Sequence, residues 1–307
     1  MKKFLLGILV AASQFATAQI VDVVSMRQLP ADMGTFYFPT VSPQGDYLLV
    51  SDTGYKGLVK IDLATNKKVV LSTASSAGYY PSISSDGKKI AFREDSYQNN
   101  LRYVSVKSLD LSSSKVVAKE EMKPCRNFSG MQMANGLLKI AQGKKETLKK
   151  MERAAGRMSE PPMLVIEDML MVIYKNGIRT EIVPNGKDKT YIWASISPDG
   201  KKIVYTVTTP PVCTYVCDMD GKNPVALGQL NAPQWLGNNC VIGMNDKDDG
   251  HVVTSSSVEV VSIDGKVRRR LTPDSMKAMY PSASADGKVV AFHTLAGEIY
   301  VMNINFK

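Results

Sequence analysis

One phrase recurs along this chain: an aromatic, usually a proline, a Ser or Thr, then a Ser-x-Asp-Gly turn and a β-rich run. It reads Phe38-Pro39-Thr40-Val41-Ser42-Pro43-Gln44-Gly45 and Tyr80-Pro81-Ser82-Ile83-Ser84-Ser85-Asp86-Gly87. It returns as Trp193-Ala194-Ser195-Ile196-Ser197-Pro198-Asp199-Gly200 and Tyr280-Pro281-Ser282-Ala283-Ser284-Ala285-Asp286-Gly287. A repeat of about 40 residues constrains the fold more than any composition does, because such units stack into a solenoid or ring and none folds alone. The turn glycines are separated by 42, 113 and 87 residues. The last gap has room for a degraded copy, which Ala232-Pro233-Gln234-Trp235-Leu236-Gly237 fits. The middle gap has room for another, Phe128 to Gly136, together with an insertion. That arithmetic gives six units.

Each clear unit has one grammar. The Asp-Gly turn follows a short strand, since Gly accepts positive φ and Asp caps its own turn. A β-rich strand comes next, as in Lys89-Ile90-Ala91-Phe92 or Val289-Val290-Ala291-Phe292, and a third and fourth follow. Four antiparallel strands per unit of this length make a propeller blade. The last unit runs out at Lys307 one strand short, and Val21–Met26 precedes the first unit unused. Pairing the two would remove the open edges of the ring. The expected fold is all-β: a six-bladed β-propeller of four-stranded blades over 19–307, the last blade closed by the N-terminal strand.

The phrase Tyr-Pro-Ser-x-Ser-x-Asp-Gly-Lys, followed by an Ile/Val-Ala/Val-Phe/Tyr strand, resembles the TolB-like (WD40-like) propeller repeat. The resemblance covers roughly residues 30–307. It implies a six-bladed propeller and a binding role in the bacterial envelope. The α/β domain that precedes the propeller in that family is not expected here, with only about a dozen residues between the expected leader and the first blade.

Residues 1–18 are laid out as a signal peptide, with Lys2 and Lys3, an apolar stretch from Phe4 to Ala12, and Ala16-Thr17-Ala18 before Gln19. The apolar run is too short to span a bilayer, and no later one is longer. Cleavage near Ala18 is expected to release a periplasmic or secreted protein without a membrane span. Its removal takes two lysines and no acid, so the formal charge falls from +9 to +7. Much of that excess is scattered after the turns, as in Lys88-Lys89 and Lys201-Lys202, where it decorates solvated hairpins. Nucleic acid is not an expected partner. The four cysteines, Cys125, Cys213, Cys217 and Cys240, allow three pairings. Cys213 and Cys217 would lie about 13 Å apart on an extended strand, too far to bond. Buried thiols are the plainer expectation.

Between about 142 and 162 the repeat breaks. Lys144 to Met158 holds strong helix formers, with Leu148, Met151, Ala155 and Met158 at three- and four-residue steps, so a helical insertion in the third blade is expected. It would pack on the rim or dock a partner. Pro161-Pro162 ends it before strands at Met163–Ile166, Leu170–Tyr174 and Thr180–Val183. The acidic loop Asn245 to His251 lacks the alternating ligands and distant Glu of an EF-hand, and reads as a hairpin tip.

Five units place an aromatic at the same point of their innermost strand: Phe38, Tyr80, Phe128, Trp193 and Tyr280, with Ala232 in the sixth. They would either wedge between blades or face the channel as a ligand-binding ring, and burial as wedges is the expectation. Catalytic signals are sparse. His251 and His293 are the only histidines, which excludes a three-histidine metal centre, and no Gly-x-Ser-x-Gly elbow occurs. The reading is a monomeric, non-enzymatic binding or scaffold propeller without metal or cofactor. Its expected partner is another envelope protein or peptide, or a glycan. The alternative is a carbohydrate-active propeller enzyme using a carboxylate pair, for which two acids about 5 to 10 Å apart in the channel mouth would be the sign.

Overall fold

A computed structural model describes residues 21–111, 115–118, 125–134, 136–150 and 160–307. Residues 1–20, which hold the expected leader, and the segment 151–159 lie outside these residues. The described chain forms seven antiparallel sheets at 37–72, 82–118, 128–150, 163–182, 191–228, 231–270 and 278–306, here blades one to seven. Blades three and four have three strands among the described residues and the others four. The closing strand is as the sequence indicates. Val21–Gln28 is the outermost strand of blade seven, antiparallel to Ile299–Phe306 from Val21 against Phe306 to Gln28 against Tyr300. The ion pairs of Asp22 with Arg269 and Lys307 tie this strand to blade six and to the chain's end.

The structure overturns two expectations about the fold. The ring has seven blades and not six, and no helical insertion exists where the described residues cover it. Lys145–Lys150 is a strand paired with Leu137–Gln142, from Leu137 against Lys150 to Gln142 against Lys145. The helical stripe misled because Leu148, its first member, is exposed, whereas Glu146 turns inward to meet Lys139. Lys139 is wholly buried, and its Nζ lies 2.7 Å from Glu146 and 3.0 Å from Glu160. A buried lysine left unpaired would cost far more than the modest helix propensity of this segment gains. The three strands expected after Pro162 are present as Met163–Glu167, Leu170–Lys175 and Ile178–Ile182, but they form a blade of their own.

That blade escaped the repeat count because its inner strand runs the other way. In six blades the innermost strand leaves the aromatic end of the channel and finishes in the turn that begins the second strand. Met163–Glu167 starts beside the turn end of blade three, where Lys139 Nζ donates to the Pro161 carbonyl at 2.6 Å. It finishes at the aromatic end, where Asp168 pairs with Lys144 at 3.2 Å. An odd blade reverses the chain's direction and a second odd blade restores it. Blade four therefore carries neither the aromatic nor the Ser-x-Asp-Gly phrase.

The recurrent turn is a small hydrogen-bond device. Ser197 donates to Asp199 at 2.7 Å while accepting the Lys202 amide at 2.9 Å. Ser84 and Ser284 repeat it with Asp86 and Asp286, and Ser262 uses it with Asp264 in an outer turn. In the aromatic-Pro-Ser phrase the serine serves the neighbouring blade. Ser282 Oγ accepts the Val41 amide at 3.0 Å, and Ser82 Oγ accepts the Met133 amide at 2.8 Å.

Replacing Lys139 by Met leaves Glu146 and Glu160 without their cation. Urea unfolding should show a loss of about 3 to 5 kcal/mol. The triple change with Glu146→Gln and Glu160→Gln should recover most of it, since no uncompensated charge then stays inside.

Candidate functional site

The five aromatics named from sequence project from the start of the innermost strands at one end of the channel. Four of them have backbones that bulky residues seldom adopt: φ is +52° at Phe38, +48° at Tyr80, +51° at Trp193 and +49° at Tyr280. The register slips by one residue at each place where a pairing covers it, between Tyr37 and Thr40, Ile192 and Ser195, and Met279 and Ser282. These are β-bulges whose left-handed first position would suit glycine. Phe38, Tyr80 and Tyr280 also precede a proline, which narrows their backbone further. Holding a bulky residue so costs on the order of 1–3 kcal/mol. Phe128 stands at a fourth slip, without the positive φ, and Ala232, at a fifth between Asn231 and Gln234, keeps the left-handed backbone at +47° without a ring.

These rings are not the buried wedges expected from sequence. None of the five is buried; four are partly exposed, and Tyr80 is 46% exposed. The buried one is Ala232. The bulge turns each ring out of its sheet, so its face is not clamped between neighbouring blades.

Two cavities result. One, of about 160 Å³, is walled by Phe38, Tyr55, Tyr80 and Tyr280 with Thr40, Gln234 and Ser282. The other, of about 250 Å³, is walled by Tyr79, Tyr80, Phe128 and Trp193 with Arg93 and Ser129. Tyr80 lines both. Tyr55, from a loop at the same end, stacks on Phe38 with centroids 3.8 Å apart, and Tyr280 meets Phe38 edge-on at 4.9 Å. Tyr79 meets Tyr55 and Tyr80 edge-on, each at 4.8 Å. Desolvation pushes the hydroxyls of Tyr55, Tyr80 and Tyr280 above the ordinary tyrosine range, so these phenols stay neutral. For Tyr80 the Trp193 indole N–H opposes that shift.

Sequence reading missed a second series, set six residues after each turn glycine: Ser51, Arg93, Gln142, Thr206, Gly243 and His293. The preceding residues are apolar strand, so a polar group at this spacing was a legible signal. Three members, at Ser51 Oγ, Arg93 Nε and His293 Nε2, carry a buried polar atom with no hydrogen-bond partner. Thr206 is satisfied by Thr214 at 2.7 Å. His293 is 3% exposed; its Nδ1 donates to the Thr294 carbonyl at 2.9 Å, and its ring stacks on Tyr280 at 5.6 Å. Tyr37 and Phe38 meet it edge-on, each at 5.2 Å. Desolvation lowers its pKa to about 4.

Other sequence expectations resolve simply. All four cysteines are free, and three of them are buried. The Asn245–His251 loop caps itself, with Asp249 accepting the amides of His251 and Val252, each at 2.9 Å. Among the described residues no group of His, Cys, Asp and Glu is placed to hold a metal ion.

Solved structures of low sequence identity share the fold. TolB from Acinetobacter baumannii aligns with a TM-score of 0.53 at 15% identity over 80% of this chain, which spans 56% of that chain. U3-55K aligns at 0.57 with 11% identity, covering 91% of this chain and 98% of that one. An oligogalacturonate lyase in complex with manganese aligns at only 0.48 with 13% identity, over 88% and 78% of the two chains. No protein-family model and no curated protein sequence matches the chain. The fold these solved structures share with the chain is the β-propeller.

The pKa of His293 makes stability depend on pH. Unfolded, the imidazole binds a proton near pH 6.5; folded, it resists until about pH 4. Its contribution is complete above 6.5 and is lost as the pH falls toward 4. At about 1.4 kcal/mol per unit the loss is about 3 kcal/mol. His293→Phe keeps a ring in place and cannot titrate. Unfolding measured from pH 7.5 to 4 should show the wild type losing that much more than the variant.

Proposed function

We propose that this chain is an exported binding module that engages a protein partner of the cell envelope at the aromatic end of its channel. The observation that carries the reading is the set of aromatics held in left-handed bulges and left partly open to solvent. Strain kept at equivalent points of four blades, on rings that do not fill the interior, is the pattern of preorganised contact surface. The surrounding turns support a protein over a glycan as the partner. Tyr97, Val212, Val252 and Leu295 sit on or beside the turns of blades two, five, six and seven at this same end, and all are exposed. Apolar tips around a concavity suit the apolar patches of another protein.

The alternative of a glycan-active enzyme asked for a carboxylate pair in the channel mouth. Neither of these two cavities is lined by an Asp or Glu; a third, beside Phe128 and Ser129, has Glu167 and Asp168 in its wall, with Glu167 engaged by Tyr174 and Arg179 and Asp168 paired with Lys144.

With the chain immobilised against an envelope extract, Trp193→Ala should abolish capture of the partner while thermal unfolding stays within about 1 kcal/mol of wild type. A loss of about 3 to 5 kcal/mol would instead mark Trp193 as a packing wedge. The export part of the reading is checked by the mass of the purified envelope form, which should begin at Gln19.

A further inference from the structure

Arg93 leaves the second strand of blade two at mid-height and lays its guanidinium over Tyr79, 3.9 Å from the ring centroid. It lines the cavity walled by Tyr80, Phe128 and Trp193. Its side chain is only 12% exposed, and its buried Nε has no hydrogen-bond partner. The facing carboxylate, Asp95, is 3.9 Å away, too far for a hydrogen bond. Asp95 is moreover shared: Arg102 approaches its other oxygen at 3.6 Å, and Ser76 donates to that oxygen at 2.9 Å. The next acid, Glu94, is engaged by Lys107 and by Ser72. Two guanidiniums therefore share one carboxylate, and a positive charge remains at the edge of an aromatic cavity. No Asp or Glu lines that wall, and desolvation keeps the Tyr80 phenol in it neutral. A desolvated guanidinium without a full set of acceptors is costly to maintain, and an incoming anion relieves that cost.

From this we infer that the cavity recognises a carboxylate, and that the partner segment entering it is an acidic peptide, with Arg93 as the anion-binding residue and Tyr80, Phe128 and Trp193 as the walls for its apolar neighbours. The inference rests on the proposed protein-binding role of this end of the channel. It adds the chemistry of what enters. The planar fork of Arg93 is braced on Tyr79, so a bidentate carboxylate would meet a preorganised donor pair. A cavity of about 250 Å³ admits a single side chain or chain terminus and not a folded surface, so the peptide must arrive extended.

Trp193 shares the cavity with Arg93 and reports on it directly. Its fluorescence is followed while the full mature chain is titrated with acetylated, C-terminally amidated hexapeptides holding one Glu among Leu, Tyr and Pro, and with their Gln counterparts. The Glu set is expected to bind at least about tenfold more tightly than the Gln set, with affinity falling as salt rises. Arg93→Gln should erase that preference and leave the Gln peptides unaffected; Arg93→Lys should keep part of it. Circular dichroism and thermal unfolding establish that each variant is folded. Equal binding of Glu and Gln peptides, or an unchanged preference in Arg93→Gln, would overturn the inference while leaving the aromatic site standing. If no peptide binds and an oligouronate alone quenches Trp193, both the peptide assignment and the protein-partner reading fail.

Discussion

Every blade buries its two faces only against its neighbours, and the rest of the molecule follows from that dependence. Seven apolar clusters fill the seven interfaces, and each draws on two adjacent blades. Leu48 and Ile61 of blade one meet Ala291 and Val301 of blade seven. Ile242 and Val260 meet Phe292 and Met302 between blades six and seven, with Val21 of the closing strand in the same cluster. Opening any interface would expose two apolar faces at once, so closure of the ring is a condition of stability and not an ornament. The N-terminal strand satisfies it by hydrogen-bonding the last blade. The pair of blades with three strands among the described residues satisfies it in another sense, because a single odd blade would leave every later inner strand pointing the wrong way.

With its walls fixed, the ring can hold local strain. Left-handed backbones at Phe38, Tyr80, Trp193 and Tyr280 would be abandoned by a looser scaffold. Here the bulge is pinned on both sides, by pairing to the second strand and by serine bonds such as Ser282 to Val41 that latch one inner strand to the next. Ala232 isolates the contribution of the backbone. It adopts the same conformation with a methyl group, so the bulge belongs to the architecture and the ring is an addition. The aromatic side chains are therefore the variable element of a constant frame.

Much of this was legible in the sequence, and the failures have physical causes. The fold class, the turn chemistry, the two degraded copies at Phe128 and Ala232 and the closing role of Val21–Met26 follow from local rules that the chain obeys. The blade count failed at blade four, whose reversed inner strand has no use for the phrase being counted. The helix expected at Lys144–Met158 failed over its described part because residues 145–150 answer to a partner distant in sequence: Glu146 faces inward for the sake of Lys139. Burial of the aromatics was expected because inner strands pack face to face with neighbouring blades, and the positive φ that turns four of the rings out of that packing is invisible in sequence. Arg93 and His293 could have been found. Both interrupt an apolar run at one fixed distance from the turn glycine, and a repeat aligned for its exceptions displays them.

The exceptions also make the channel asymmetric. Blades seven, one and two supply Tyr280, Phe38, Tyr55 and Tyr80 to the first cavity, and the only other wall comes from blade six, where Ala232 leaves the ring incomplete. The second cavity is bounded by blades two to five, and blade four brings Leu164, Val165 and Ile166 from its reversed strand in place of an aromatic bulge. Tyr80 stands between the two, and Arg93 behind it gives one side a charge that the other lacks. A seven-fold scaffold would offer a ligand seven equivalent orientations. One reversed blade, one missing ring and one cation remove that degeneracy, so the mouth has a neutral aromatic side and a cationic side. The departures from the repeat, more than the repeat, are what give the mouth its direction.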